Sequence, residues 1–97
     1  MAVAVEVTFN GKGATLENYF KSLAILGATP EGPHPDPGCL FHWMTETGGG
    51  FRVIDVWQTK GQWEAFVPKV AAAADQLGMP KPQHKYIDVA SYMTSGS

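Results

Sequence analysis

Apolar residues in this chain recur at two spacings, and the order in which those spacings follow one another constrains the fold more than any other feature. From Ala2 to Phe9 the period is two. Val3, Val5, Val7 and Phe9 fall on one face and Ala4, Glu6 and Thr8 on the other, the pattern of a strand. Asn10-Gly11-Lys12-Gly13 breaks it. The period then becomes helical: Leu16, Tyr19, Phe20, Leu23 and Leu26 share a face, with Thr15 placed to cap the helix and Gly27 to stop it. Cys39 to Thr45 and Phe51 to Gln58 are strand-like runs around Gly48-Gly49-Gly50, which predicts a β-hairpin. Thr59 opens a second helix with Gln62 at capping-box spacing, and Trp63, Phe66, Val67, Val70, Ala74 and Leu77 form its apolar face until Gly78, Pro80 and Pro82 end it. Pro68 lies inside that helix and predicts a kink or a break near Val67, because it lacks a backbone donor and crowds the preceding turn. Alternation returns from Gln83 to Met93, and Thr94-Ser95-Gly96-Ser97 is a polar tail expected to fray.

The order β-α-β-β-α-β with a central hairpin is the ferredoxin-like α+β arrangement: a four-stranded antiparallel sheet, both helices on one face, strands one and three in the middle. With no repeat and no linker, residues 1–97 are expected to form a single domain. Such a domain has a small core. One cysteine, Cys39, excludes an intramolecular disulfide, and Cys39 with His34, His42 and His84 matches no zinc-ligand spacing, so no metal is expected. A sheet with one face in water shows polar residues along that face. Here apolar or small residues occur on both faces, strand three alternating Phe51, Val53, Asp55 and Trp57 with Arg52, Ile54, Val56 and Gln58. The expectation is a homodimer formed through the open sheet face.

The formal charge is -2, and the basic residues are spread from Lys12 to Lys85, so no nucleic-acid partner is expected. RNA-recognition motifs share the element order, but Asp55 would place a negative charge at their stacking platform. The N-terminal run carries Glu6 and no basic leader, and no stretch reaches membrane-spanning length; with one unpaired cysteine, the expectation is a cytoplasmic protein without membrane contact.

Asp55 is the most informative residue, because a carboxylate in a central strand needs a partner. If the turn spans Thr47 to Gly50, Glu46 faces Phe51 and His42 lies opposite Asp55; a slip of one residue pairs Trp43 with Asp55 instead. In the first register Asp55 holds one imidazole nitrogen and leaves the other free to shuttle a proton. His42 and Asp55 are therefore candidate catalytic residues, against the simpler reading that they only satisfy each other in the interior. Cys39 falls on the opposite face of an ideal strand from His42, and His34 and His84 are expected in solvent. Ala28 to Gly38, with Pro30, Pro33, Pro35 and Pro37, is a stiffened loop that serves as connector, lid or binding loop. Trp57, Phe51, Tyr19, Phe20, Trp63 and Phe66 are able to wall a cavity between sheet and helices; on helical core positions, Tyr19, Phe20 and Phe66 also fit plain packing.

Phe41-His42 before the glycine turn, and Phe51-Arg52-Val53-Ile54-Asp55-Val56-Trp57-Gln58-Thr59 leading into a helix with Trp63 and Phe66, resemble the dimeric α+β barrel superfamily, which includes antibiotic-biosynthesis monooxygenase-like proteins. The resemblance spans Ala2 to Met93. It implies two sheets meeting face to face in a homodimeric barrel, with a small-molecule ligand between each sheet and its helices. Asp55 and Trp57 match the acid-x-aromatic pair that ends the third strand, which implies that Trp57 contacts ligand beside Phe51 and Tyr19. No histidine lies between Trp63 and Leu77, unlike several enzymatic branches. Two functions follow as expectations. One is a monooxygenase or isomerase working through an enolate with no cofactor and with His42 as proton shuttle; the other is a non-catalytic ligand-binding or structural homodimer.

Overall fold

The period-two segments pair into one antiparallel sheet in the order β2-β3-β1-β4. The computed structural model describes residues 2–93, with elements β1 (Val3–Asn10), α1 (Leu16–Ile25), β2 (Cys39–Thr47), β3 (Gly50–Trp57), α2 (Lys60–Gln76) and β4 (Gln83–Asp88). The polar tail from Thr94 lies outside the described residues. Strands β3 and β1 occupy the middle, so the chain has the ferredoxin-like fold that the order of its periodicities predicts. On both central strands every second residue is buried, and these residues meet Tyr19 and Leu23 of α1 and Trp63, Phe66 and Ala74 of α2. Phe9 and Phe51, directly opposite in the register, stack with ring centroids 4.8 Å apart.

Both helices begin as predicted. Thr15 Oγ1 accepts the Asn18 amide at 3.1 Å, and Thr59 Oγ1 accepts that of Gln62 at 3.1 Å. The reciprocal half of the capping box is not made, since the Gln62 side-chain oxygen accepts the Thr59 hydroxyl instead. At the end of α1 the Ala28 amide reaches back to the Leu23 carbonyl at 2.8 Å, a closure that needs Gly27 at φ 81°.

Three expectations about these elements are corrected. First, α1 does not bury its whole apolar stripe: Leu16 is 36% and Phe20 43% exposed. Tyr19 and Leu23 span the contact with the sheet, and Phe20, about 100° further round the helix axis than Tyr19, faces away from it. Second, of the two outcomes expected at Pro68 the break does not occur, and α2 runs through it as one helix. Pro68 and Glu64, whose carbonyl loses its partner, are both exposed, so that carbonyl is open to solvent and its lost hydrogen bond costs less than a buried one would. Third, β4 ends at Asp88 rather than Met93. Asp88 pairs with Val3, the first residue of β1, and beyond it there is no strand to pair with.

The hairpin closes on Thr47 and Gly50, with Gly48-Gly49 as its connection. Glu46 faces Phe51 and His42 faces Asp55, the register counted from the glycine turn. Gly50 packs so tightly on β1 that a Cβ there would lie 2.0 Å from the Phe9 carbonyl oxygen. At its other end β2 departs from ideal pairing. Cys39 is opposite Trp57 while Phe41 is opposite Val56, so Leu40 is the extra residue of a β-bulge.

The sheet face away from the helices carries Ala4, Glu6, Arg52, Ile54, Val56 and their cross-strand neighbours. Phe41, Trp43 and Ile87, on the same face, are 58%, 43% and 44% exposed. Among the described residues no helix is long and apolar enough to cross a membrane.

Candidate functional site

Between the inner sheet face and the helices lies a cavity of about 700 Å³. Its walls include Phe9, Phe51, Val53 and Asp55 from the central strands, Tyr19 and Leu23 from α1, and Trp63, Phe66 and Val70 from α2. The proline loop closes one side: Pro30, Pro33, His34, Pro35, Asp36 and Pro37 all line it. The loop is thus a wall of the cavity, stiffened because each proline fixes one backbone dihedral.

A line of hydrogen bonds crosses the inner end of the cavity. Asp55, only 3% exposed, is the one charged residue among the buried ones described. Its Oδ1 lies 2.5 Å from His42 Nδ1, and its Oδ2 accepts the Trp57 indole Nε1–H at 3.2 Å. The second imidazole nitrogen, Nε2, lies 2.6 Å from the Tyr19 hydroxyl. One proton arrangement satisfies every member: Tyr19 O–H donates to Nε2, Nδ1–H donates to Oδ1, and the indole donates to Oδ2. Burial, with the Asp55 charge adding to it, pushes the Tyr19 hydroxyl from 10.0 up to about 12, so the phenol keeps its proton at neutral pH and serves as donor.

The expected site residues therefore take unequal places. His42 and Asp55 are paired, and Tyr19 and Phe51 line the cavity. Trp57 has no exposed surface and is not in the cavity wall; its indole orients Asp55. Nor is the second imidazole nitrogen free, as the sequence reading expected, because Tyr19 engages it. Trp57 lies two residues from Asp55 on the same strand face, so that contact had a signal in the sequence. The contact between Tyr19 and His42 had none, since it depends on how α1 docks on the sheet.

Two further residues were misplaced by sequence reasoning. His34 is half-buried rather than solvated: its ring packs on Trp57 (5.3 Å between centroids), Phe66 (5.1 Å) and His42 (5.7 Å). Its Nδ1 accepts the Asp36 amide at 3.0 Å, and the Asp36 carboxylate in turn accepts the Gly38 amide at 2.8 Å, which holds the loop in a tight turn before β2. Cys39 shares the inner face with His42, because the bulge at Leu40 reverses the alternation between them. Burial, followed by the Asp55 charge, pushes its thiol from 9.0 up to about 12. His84 is exposed, as expected.

No protein-family model and no curated protein matches the chain. Solved structures do. A protein of unknown function from Nitrosomonas europaea superposes with a TM-score of 0.73 at 15% identity, covering 99% of this chain and 96% of that one. A candidate antibiotic biosynthesis monooxygenase from Chloroflexus aurantiacus gives 0.63 at 18% identity, with 99% and 100% covered. A dimeric ferredoxin-like protein of unknown function from a Jannaschia species gives 0.63 at 17% identity, with 92% and 100% covered. At such identities the likeness is one of fold, and the ferredoxin-like architecture is shared over nearly the whole chain.

Proposed function

We propose that this chain binds a small, largely apolar molecule in its cavity and moves a proton on it through Tyr19, His42 and Asp55. The observation that carries the reading is the unbroken line from the cavity wall at Tyr19, through His42, to the buried Asp55. It follows the logic of a nucleophile-base-acid triad with a phenol in the first place. As the Tyr19 oxygen takes a proton from a carbon next to a ligand carbonyl, its own proton passes to Nε2, and the Asp55 carboxylate faces the resulting imidazolium. The ligand is left as an enolate. Returning the proton to a different carbon is an isomerisation; joining the enolate carbon to dioxygen forms a peroxide, which loses its outer oxygen as water together with the hydrogen left on that carbon to give a new carbonyl, a monooxygenation, the activity proposed for the structurally similar Chloroflexus protein. Trp63, 3% exposed in the cavity wall, has an indole Nε1–H with no partner among the described residues, a donor suited to a ligand oxygen.

The working unit in this reading is a homodimer joined through the open sheet faces, where Phe41, Trp43 and Ile87 leave an apolar surface that water does not favour. A dimeric protein of the same fold supports it.

The test is exchange of ligand α-protons for deuterium, followed by NMR over a panel of ketones and enolisable phenols. His42→Ala and Tyr19→Phe are expected to lose about 100-fold or more in exchange rate while binding the same ligands. Exchange that is unaffected by both substitutions refutes the relay. Tight binding with no exchange in any form of the protein replaces it with the non-catalytic ligand-binding reading.

A further inference from the structure

We propose a zinc-type metal site in the same cavity, formed by His34, Cys39 and Asp55; the proton relay uses Asp55 but gives no role to His34 or Cys39. One ligand atom from each of these residues lies within 4.8 Å of the other two. They come from three separate pieces of the chain: the proline loop, the bulged start of β2 and the middle of β3. All three line the cavity, and Asp55 is buried. Spacing along the sequence had no means of revealing them, because the fold alone brings them together.

The donor set has a definite chemistry. A thiolate, an imidazole and a carboxylate suit a borderline-soft divalent ion, zinc above all, rather than calcium or magnesium. Zinc bonds of about 2.0–2.3 Å set tetrahedral donors roughly 3.3–3.8 Å apart, so the three must close by about 1 Å. Rotation of the His34 and Cys39 side chains about their own bonds supplies that movement without displacing the proline-stiffened backbone. His42 is not a ligand, because both its nitrogens are engaged.

The contacts around the three residues serve metal ligands after one proton shift on His34 and the loss of one proton from Cys39. Asp55 is already oriented by His42 and Trp57 and keeps lone pairs beyond those two hydrogen bonds. His34 Nδ1 accepts the Asp36 amide at 3.0 Å; metal binding through Nε2 exchanges that bond for one from Nδ1–H to the Asp36 carbonyl oxygen, 3.3 Å away, with the proton moving from Nε2 to Nδ1. Cys39 Sγ donates to the Phe41 carbonyl at 3.4 Å, and zinc takes the place of that proton, which leaves to solvent. Three protein ligands leave a fourth position facing the cavity, open to a water or to an oxygen of the ligand.

Cobalt(II) titration of the full-length chain tests the site. The expected result is one equivalent bound per chain, with a thiolate-to-cobalt charge-transfer band that zinc abolishes by displacement. Cys39→Ser and His34→Gln are each expected to weaken cobalt binding by more than about 100-fold, the upper end of what losing a mere supporting partner costs. His84→Gln should leave it unchanged. Circular dichroism checks that each variant folds, and His34→Gln, placed on the loop, covers the case in which Cys39→Ser does not. The absence of a charge-transfer band in the unsubstituted protein overturns the proposal, as does undiminished binding by either folded variant. Neither substitution replaces Tyr19, His42 or Asp55, and cobalt binding is read without proton exchange, so failure of the metal site and failure of the proton relay are read separately.

Discussion

Replacing Asp55 in two ways separates the hydrogen-bond line from simple burial. Asp55→Ala removes the partners that two donors have among the described residues, His42 Nδ1–H and Trp57 Nε1–H, at a position 3% exposed. The Trp57 indole is fully buried, and such a donor left unpaired costs about 1–3 kcal/mol; the His42 side chain is 24% exposed, so water recovers most of its loss, which adds little to that figure. The total is a sizeable part of the roughly 5–15 kcal/mol by which a domain is held folded. Asp55→Asn should cost far less. Its amide oxygen accepts from Trp57, whose indole can only donate, and its NH₂ then donates to His42 Nδ1. This arrangement satisfies every group, but it reverses the imidazole: Nε2 now carries the hydrogen and donates to the Tyr19 oxygen. The relay then has no base, because Nε2 cannot accept the phenol proton. Urea denaturation is expected to place Asp55→Ala at least about 1 kcal/mol below Asp55→Asn. Nitrogen NMR of the imidazole should show Nδ1–H in the parent and Nε2–H in Asp55→Asn. Equal stability of the two variants, or an unchanged tautomer in Asp55→Asn, refutes the line of hydrogen bonds as drawn.

The raised Tyr19 and Cys39 groups give stability that is complete below their ordinary values of 10.0 and 9.0 and is lost as pH rises toward about 12; thermal melts from pH 8 upward should show the decline, smaller in Cys39→Ala. Burial holds the His34 imidazole below its ordinary 6.5, so stability should also fall as pH drops below that value, and His34→Gln should flatten this acid limb. Phe66→Ala, at a site 5% exposed, should cost about 3–5 kcal/mol in urea denaturation, whereas Phe20→Ser, at 43% exposure, should stay within about 0.5 kcal/mol. Pro68→Ala restores a donor for the Glu64 carbonyl inside α2 and should raise stability by about 1–3 kcal/mol. Trp43→Asp on the open sheet face should give a monomer in sedimentation equilibrium; a parent protein that is already monomeric removes the dimer from the proposed function.

Local regularities were legible from end to end. The two periods gave the six elements and their order, and a turn counted over Thr47 to Gly50 was enough to put His42 opposite Asp55. These relations run along one strand or across one tight hairpin, where backbone geometry alone sets who faces whom. The same reasoning failed wherever an element's surroundings decide its fate. Phe20 shares a helical face with Leu23, yet a helix resting on a single sheet covers only part of that face. The alternation past Asp88 continues in sequence, but β1 begins at Val3 and offers nothing further to pair with.

The site divides along the same line. The sequence by itself determined that Asp55 would be buried and would need a partner, and it narrowed that partner to a register with His42 or one with Trp43 opposite; the fold selects His42. Only the tertiary structure decided what that pair is joined to. Tyr19 reaches His42 through the docking of α1 on the sheet, Cys39 turns inward through one extra residue in β2, and His34 folds in with the proline loop to stand beside Asp55. Helix docking, a bulge and a loop path are settled by packing among residues far apart in the chain. No periodicity records them, and for that reason the chemistry of this cavity appears only once the chain is folded.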